Sequence, residues 1–232
     1  MGSTMLCAPQ AGLSLLFLLL LGAASCYSPD GPEVLQTVDL PAPQTTGEVP
    51  VEEAIQDRRS IRAWADAPLS LQEVGQLLWS AQGITDPDGL RAAPSAGATF
   101  PLEVYLVAGE VEGLEEGNYR YLPSDHALER TASGDSRSAL AGAALEQMWV
   151  ADAPAVIVIT AVIQRTAQRY GDRASRYVAM EAGCAAENVY LGAGALGLGT
   201  VIVGAFGDDE VKQVMGLPAE QEPYALMPVG RR

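Results

Sequence analysis

The sequence predicts an α+β sandwich, a central β-sheet flanked by helices. Three observations carry that expectation. Several runs have the branched and aromatic character of strands, foremost Ala155 to Val162. Others, such as Leu71 to Ala81, repeat apolar residues at helical spacing. The two kinds are interspersed without the regular alternation of a parallel α/β fold. The length of 232 residues and a hydrophobic share of 48% allow one ordinary domain with a real core.

The N-terminal stretch reads as a targeting segment. Leu13 to Leu21 is an apolar run, short for a bilayer span but right for the hydrophobic region of a signal peptide. Gly22-Ala23-Ala24-Ser25 and then Cys26 come next. That order resembles a bacterial lipobox, whose cysteine is lipidated and becomes the new N-terminus. Residues 1–25 are therefore expected to be a lipoprotein-type signal peptide, with Cys26 lipidated. Ala23 stands where a larger aliphatic residue is usual, and no Lys or Arg precedes the run. Ordinary secretory cleavage near Ala24 or Ser25 and a retained signal anchor stay open as alternatives. The expected location is extracytoplasmic, periplasmic or at the cell surface, with the membrane engaged only through an N-terminal lipid anchor. Residues 26–50, rich in Pro, Gly and Thr, read as a flexible tether. The folded domain is expected over 51–232.

Within that domain, Val51 to Ile55 predicts a short helix with acids in its first turn. Ser70-Leu-Gln-Glu73 is a capping box. Behind it, Leu71, Val74, Leu77, Leu78 and Ala81 mark one helix face, which stops at Gly83. Trp79 on that helix reads as core. Residues 84–99 form a loop region. Leu102 to Ala108 and Gly117 to Leu122 read as strands, Ser138 to Val150 as a helix. Ala155 to Val162 is apolar at every position but one and suits a central strand buried on both faces. Ala174 to Leu196 is a long Ala-rich helix. Thr200 to Val203 is a strand, Asp208 starts a helix stopped by Gly216, and Tyr224 to Val229 is the last strand.

Composition narrows the function. A net charge of −15 argues against nucleic acid and against anionic membrane surfaces as partners. Of three cysteines only Cys184 lies in the body of the chain, so neither a disulfide framework nor a multi-cysteine metal site is expected. His126 is the only histidine and sits in a turn-like Pro-Ser-Asp-His stretch, a poor base for a Ser-His-Asp hydrolase. Gly192-Ala-Gly194-Ala-Leu-Gly197 matches G-x-G-x-x-G. However, a helix precedes it and a strand succeeds it, the reverse of a dinucleotide site, so it reads as a close-packed helix end.

Three stretches point elsewhere. Asp57-Arg58-Arg59-Ser60-Ile61-Arg62 crowds three arginines and a hydroxyl into five positions of an acidic chain. A bound anion explains such a cluster, because guanidinium forks match phosphate oxygens; a solvated helix end is the alternative. Pro94-Ser95-Ala96-Gly97-Ala98 is a small-residue loop before a strand, and Val203-Gly204-Ala205-Phe206 ends another. Both let backbone approach a flat ligand closely.

In order, Arg-Arg-Ser-Ile-Arg (58–62), Pro-Ser-Ala-Gly-Ala-Thr-Phe-Pro-Leu-Glu-Val-Tyr (94–105), Tyr-Gly-Asp-Arg (170–173), Gly-Leu-Gly-Thr (197–200) and Val-Gly-Ala-Phe (203–206) resemble the nitroreductase family of flavoenzymes. The likeness is nearest to its SagB-type, azoline-oxidase branch and covers residues 51 to the C-terminus. It implies a nitroreductase-like homodimer with a mixed central sheet and two FMN sites shared between subunits. Arg58 and Ser60, in a cluster with Arg59, match the phosphate-holding positions. Arg62 matches the cation at the pyrimidine edge of the flavin. Pro94, Ser95, Ala96 and Gly97 match the loop that lines it. Val203 leads into Gly204, whose N–H matches the one facing flavin N5, with Ala205 beside it. Arg231 or Arg232 matches a late basic residue that reaches the phosphate. Ping-pong transfer between a small-molecule electron donor and acceptor, such as a quinone or nitro compound, is the implied activity.

Departures from the branch matter. Cys184 stands where a histidine is common. Azoline oxidases carry a Lys-Tyr pair before Gly-Asp-Arg, whereas this chain has Arg169-Tyr170. Arginine stays protonated and cannot replace a lysine base. Arg169 and Tyr170 are the candidate catalytic pair, Arg169 as a fixed cation for an anionic substrate or for reduced flavin, or as a mere helix cap. An azoline peptide dehydrogenase and a non-catalytic flavin-binding lipoprotein are the competing readings.

Overall fold

The chain enters the fold earlier than its composition suggests. The computed structural model describes residues 1–2 and 36–232; the apolar run, the cleavage positions and Cys26 lie outside the described residues. Within the stretch read as a tether, β1 (Gln36–Asp39) pairs antiparallel with residues 127–130, and Leu40 behind it is buried. Gln44 and Gln76 then exchange backbone and side-chain hydrogen bonds at 2.7 and 3.1 Å. Thr37 and Val38 give the strand its β propensity. The prolines around it hide four residues of sheet edge.

α1 (Val51–Asp57) is followed by an extended segment, then β2 (Leu69–Ser70) and α2 (Leu71–Gln82). The capping box forms as predicted: the Ser70 hydroxyl accepts from Glu73 N–H, and Glu73 accepts from Ser70 N–H at 2.8 Å. A long loop leads to β3 (Leu102–Ala108), β4 (Val111–Glu112), β5 (Gly117–Leu122) and β6 (Ala127–Ser133). α3 (Arg137–Ala143) is shorter than its sequence suggests, because Leu145 and Glu146 turn the chain with φ of +55° and +59°. β7 (Ala155–Ala161) is buried at every residue. α4 (Ile163–Tyr170) leads into α5 (Ala174–Ala195), then β8 (Leu198–Thr200), α6 (Asp208–Met215) and β9 (Glu222–Arg231). Beyond β8, Val203 makes only a lone bridge to Leu226.

One seven-stranded sheet runs in the order β1-β6-β5-β3-β7-β9-β8, with every neighbouring pair antiparallel. Its parallel character is confined to one edge, where Ser60 bridges Thr200 beside β8; β2 and β4 form a separate parallel pair. Period-two alternation splits the strands between two cores. Val104, Leu106, Ile157 and Ile159 pack with Leu77, Leu78, Val178 and Val189 of α2 and α5. Tyr105, Val107, Val156 and Val158 pack with Leu140, Val211 and Met215 of α3 and α6. Each such buried side chain contributes about 1.5–3 kcal/mol.

α5 is central to the first layer. Val189, Tyr190 and Ala193 are buried within this chain, so the apolarity of its second half is accounted for without a partner. Its outward face instead carries Met180, Gly183, Cys184 and Glu187. Trp79 is half-buried, its indole N–H donating to Ile84 O.

Candidate functional site

Leaving α1, residues 58–62 run beside β8. Ile61 N–H donates to Thr200 O at 2.9 Å. This approach needs Gly199, since a Cβ there would lie 2.8 Å from the Ile61 side chain. Tyr190 of α5 ties this segment to the chain beyond β8. Its hydroxyl lies 2.9 Å from Ser60 Oγ and accepts from Ile202 N–H at 2.8 Å. The Arg58 guanidinium sits over its ring, 5.1 Å from the centroid. Sequence pattern does not single out Tyr190, which is there one more aromatic residue on a helix.

The early and late arginines part company. Arg59 turns back and donates to Gln56 O and Arg58 O at 2.9 and 2.7 Å, capping α1. Arg62 lies over the Trp149 ring at 5.7 Å and borders a cleft of 390 Å³ with Trp64, Glu110 and Asp152. The Trp149 indole N–H beside it is buried without a partner among the described residues. Arg231 forms a two-pronged pair with Glu73 at 3.0 and 3.1 Å and also donates to Pro68 O. The carboxylate that completes the capping box of α2 therefore occupies the Arg231 guanidinium. Arg232 instead donates to Leu198 O at 2.8 Å, and its guanidinium comes beside Gly194, one turn of α5 beyond Tyr190. Arg58, Arg62 and Arg232 have no carboxylate partner among the described residues.

Gly204 and Ala205 are exposed beyond the Val203 bridge, and their N–H groups donate to no described residue. Gln147 Nε2 donates to Ala205 O at 2.8 Å and so fixes the turn from the α3 side. Two free amides on a turn clear of side chains suit a ligand acceptor.

The Pro94–Gly97 loop stands apart from these groups. Ala96 N–H donates to the Glu181 carboxylate at 2.7 Å, and Arg169 donates to Gly97 O at 3.0 Å. A Cβ at Gly97 would fall 2.6 Å from the Tyr170 hydroxyl and 2.9 Å from Arg169, at a φ of +61°, so a larger residue there is strained and must displace those side chains. Arg169 lies over the Tyr170 ring, which packs edge-on against Tyr177. The structure thus brings Arg169 and Tyr170 to the small-residue loop. Glu181 is a second residue that the sequence does not reveal. Burial raises its pKa from the ordinary carboxylate value, against the pull of the Ala96 hydrogen bond.

Glu181 and Tyr190 are nine residues apart on α5, two and a half turns, so they leave opposite faces about 13.5 Å apart along the axis. The arginine-and-amide cradle and the small-residue loop therefore do not meet within one chain. A cleft of 650 Å³ between residues 44–49, α2 and the end of α5 contains none of the candidate residues.

The nitroreductase family model matches residues 55–231. The chain belongs to the nitroreductase family. A Methanocaldococcus jannaschii protein that carries the name nitroreductase is 46% identical over 185 residues, 80% of this chain and 92% of its own length. A nitroreductase-family crystal structure from Ralstonia eutropha is 32% identical, with a TM-score of 0.74 over 84% of this chain and 89% of that one. The microcin B17-processing protein McbC of Escherichia coli is 30% identical over 157 residues, 64% of this chain and 57% of McbC. As a member of that family the protein is an oxidoreductase of a flavin-using family.

Proposed function

We propose that the protein is an FMN-dependent oxidoreductase that moves an electron pair from one small organic molecule to another, such as a quinone or nitro compound. One observation carries this reading. In a chain of net charge −15, Arg58, Arg62 and Arg232 lack carboxylate partners among the described residues, and the Ser60 hydroxyl and the amides of Gly204 and Ala205 accompany them. This donor set fits a phosphorylated flavin. Arg58, Ser60 and Arg232 suit the phosphate, Arg62 suits the pyrimidine edge, and the two amides suit acceptors on the ring. Bound FMN supplies reversible two-electron chemistry. The chain holds it, and the fixed charge of Arg62 stabilises negative charge that develops nearby.

The active species in this reading is a homodimer. With cradle and loop on opposite faces of α5, a complete site takes the cradle from one subunit and the Pro94–Gly97 loop, with Arg169 and Tyr170, from the other. FMN titration combined with light scattering tests both statements. A yellow dimer binding one FMN per chain is expected. Colourless protein that takes up no FMN refutes the cofactor, and a monomer binding FMN at full occupancy refutes the shared site.

A second reading, azoline peptide dehydrogenase, is favoured by the likeness to the microcin-processing protein. Against it stands Arg169, which remains protonated and cannot take a proton from a ring carbon. Wild type and Arg169→Lys should be assayed on a thiazoline peptide, and on a quinone and a nitroaromatic with NAD(P)H. Activity on the quinone or nitroaromatic alone is expected of the wild type. Efficient thiazoline oxidation by the wild type would establish the second reading instead.

The N-terminal reading stands as a proposal beside these: Cys26 is lipidated and anchors the domain outside the cytoplasm. No helix among the described residues is long and apolar enough to cross a membrane.

A further inference from the structure

The loop from Ser95 to Phe100 is held in a shape it would not adopt alone. Gly97, Ala98 and Phe100 have φ of +61°, +53° and +44°. Ala98 and Phe100 carry a Cβ, which disfavours that region. Such angles persist where the surroundings over-determine them. Here the surroundings are α4 and α5. Glu181, only 5% exposed, accepts Ala96 N–H at 2.7 Å. Ser95 Oγ in turn accepts Phe100 N–H at 2.9 Å. The buried carboxylate therefore holds the start of the loop at Ala96, and the neighbouring Ser95 hydroxyl closes it onto Phe100. Thr166 meets Thr99 at 2.8 Å, and Arg165 and Arg169 each hold a loop carbonyl at 3.0 Å. The α4 bonds come from a largely polar, exposed helix, whereas Glu181 comes from the core. Burying a carboxylate is costly unless it is well hydrogen-bonded. Its placement under an exposed loop has a use only if the loop's shape matters.

We infer that Glu181 is a positioning residue of this nitroreductase site, its carboxylate fixing the Ser95–Phe100 loop in the conformation that packs against the flavin. The inference rests on the FMN reading above. Glu181 touches neither flavin nor substrate in it and acts through Ala96.

The test compares wild type with Glu181→Ala, Glu181→Gln and Ser95→Ala. Amide hydrogen exchange on flavin-free protein reads the loop, with the β7 amides as internal reference. FMN titration and the visible spectrum of bound flavin read the consequence. In Glu181→Ala, exchange at Ala96 and Phe100 is expected to quicken about tenfold or more, with β7 unchanged. FMN affinity should fall about tenfold, with a shifted flavin spectrum. Glu181→Gln, whose amide oxygen still accepts from Ala96 N–H, should show a smaller effect. If Glu181→Ala does not fold, Glu181→Gln carries the comparison, and Ser95→Ala, which removes only the bond to Phe100, serves as the control for loosening the far end of the loop. Loop exchange equal to wild type overturns the inference, as does exchange that rises equally in β7 and the loop. Unaltered FMN affinity despite a loosened loop overturns it too, while leaving the FMN reading intact. Wild-type protein that binds no FMN defeats the FMN reading and this inference with it.

Discussion

Replacing Tyr190 with phenylalanine removes one hydroxyl and keeps the ring beneath Arg58. That hydroxyl makes two hydrogen bonds, with Ser60 Oγ at 2.9 Å and from Ile202 N–H at 2.8 Å. Each contributes about 0.5–1.5 kcal/mol net, so the flavin-free protein should lose about 2 kcal/mol. In a domain of this size that lowers Tm by about 4–8 °C. Ser60 also loses the partner that orients its hydroxyl, which at about 1 kcal/mol weakens FMN binding about fivefold. Tyr190→Leu additionally removes the ring under the guanidinium, worth about a further 0.5–1 kcal/mol. Affinity should therefore fall in the order wild type, Phe, Leu. Thermal unfolding of the flavin-free proteins and quenching of FMN fluorescence on titration measure the two arms. A Phe variant with wild-type Tm and affinity would refute the claim that Tyr190 organises the cradle. Equal affinities for Phe and Leu would remove the role of the ring.

Arg232→Ala is expected to weaken FMN binding about tenfold with little change in stability, and Arg231→Ala to do the reverse, costing up to about 1 kcal/mol, because its pair with Glu73 is partly exposed. Affinity lost only in Arg231→Ala would return the phosphate role to that residue. Burial pushes the Asp135 carboxyl up, but hydrogen bonds and charge from Arg137 outweigh this and hold its pKa below the ordinary value. Its stabilising effect is therefore present above the unfolded pKa of about 3.9 and lost as pH falls through the lower folded value. Asp135→Asn should be less stable to urea at pH 7 and lose less between pH 5 and about 2; a wild-type pH profile in the variant would contradict this. Cys26→Ser is expected to move the protein from the membrane fraction to the soluble one, and unchanged partitioning would rule out lipidation at Cys26.

Much of the fold is legible in the sequence because its signals are local. The capping box at Ser70, the all-buried run of β7 and the start of α6 at Asp208 each derive from a few adjacent residues, and each forms as expected. α4 is hidden because it is short and polar on the whole, and its inward stripe of Ile163, Thr166, Ala167 and Tyr170 holds few strongly apolar side chains. β1 is hidden because an edge strand needs little apolar content, and prolines flank it. In the site, arginines and glycines mark the right stretches, but identity does not say where each guanidinium points. Arg59 caps its own helix and Arg231 answers Glu73, contacts set by backbone direction and by a residue 158 positions away. Tyr190 and Glu181 are concealed for a related reason: on a helix rich in alanine, neither differs in sequence pattern from an ordinary core or surface residue.

The placement of cradle and loop on opposite faces of α5, two and a half turns apart, has a genetic consequence. If each site is assembled from two chains, damage to one element need not be fatal in company. A chain bearing Arg58→Ala has a sound loop, and one bearing a disrupted Ser95–Phe100 loop has a sound cradle. Each variant pairing with itself makes only impaired sites. Paired with one another, they bring the intact cradle of one chain to the intact loop of the other, while both faults gather in the second site. Two defective alleles expressed together would then complement.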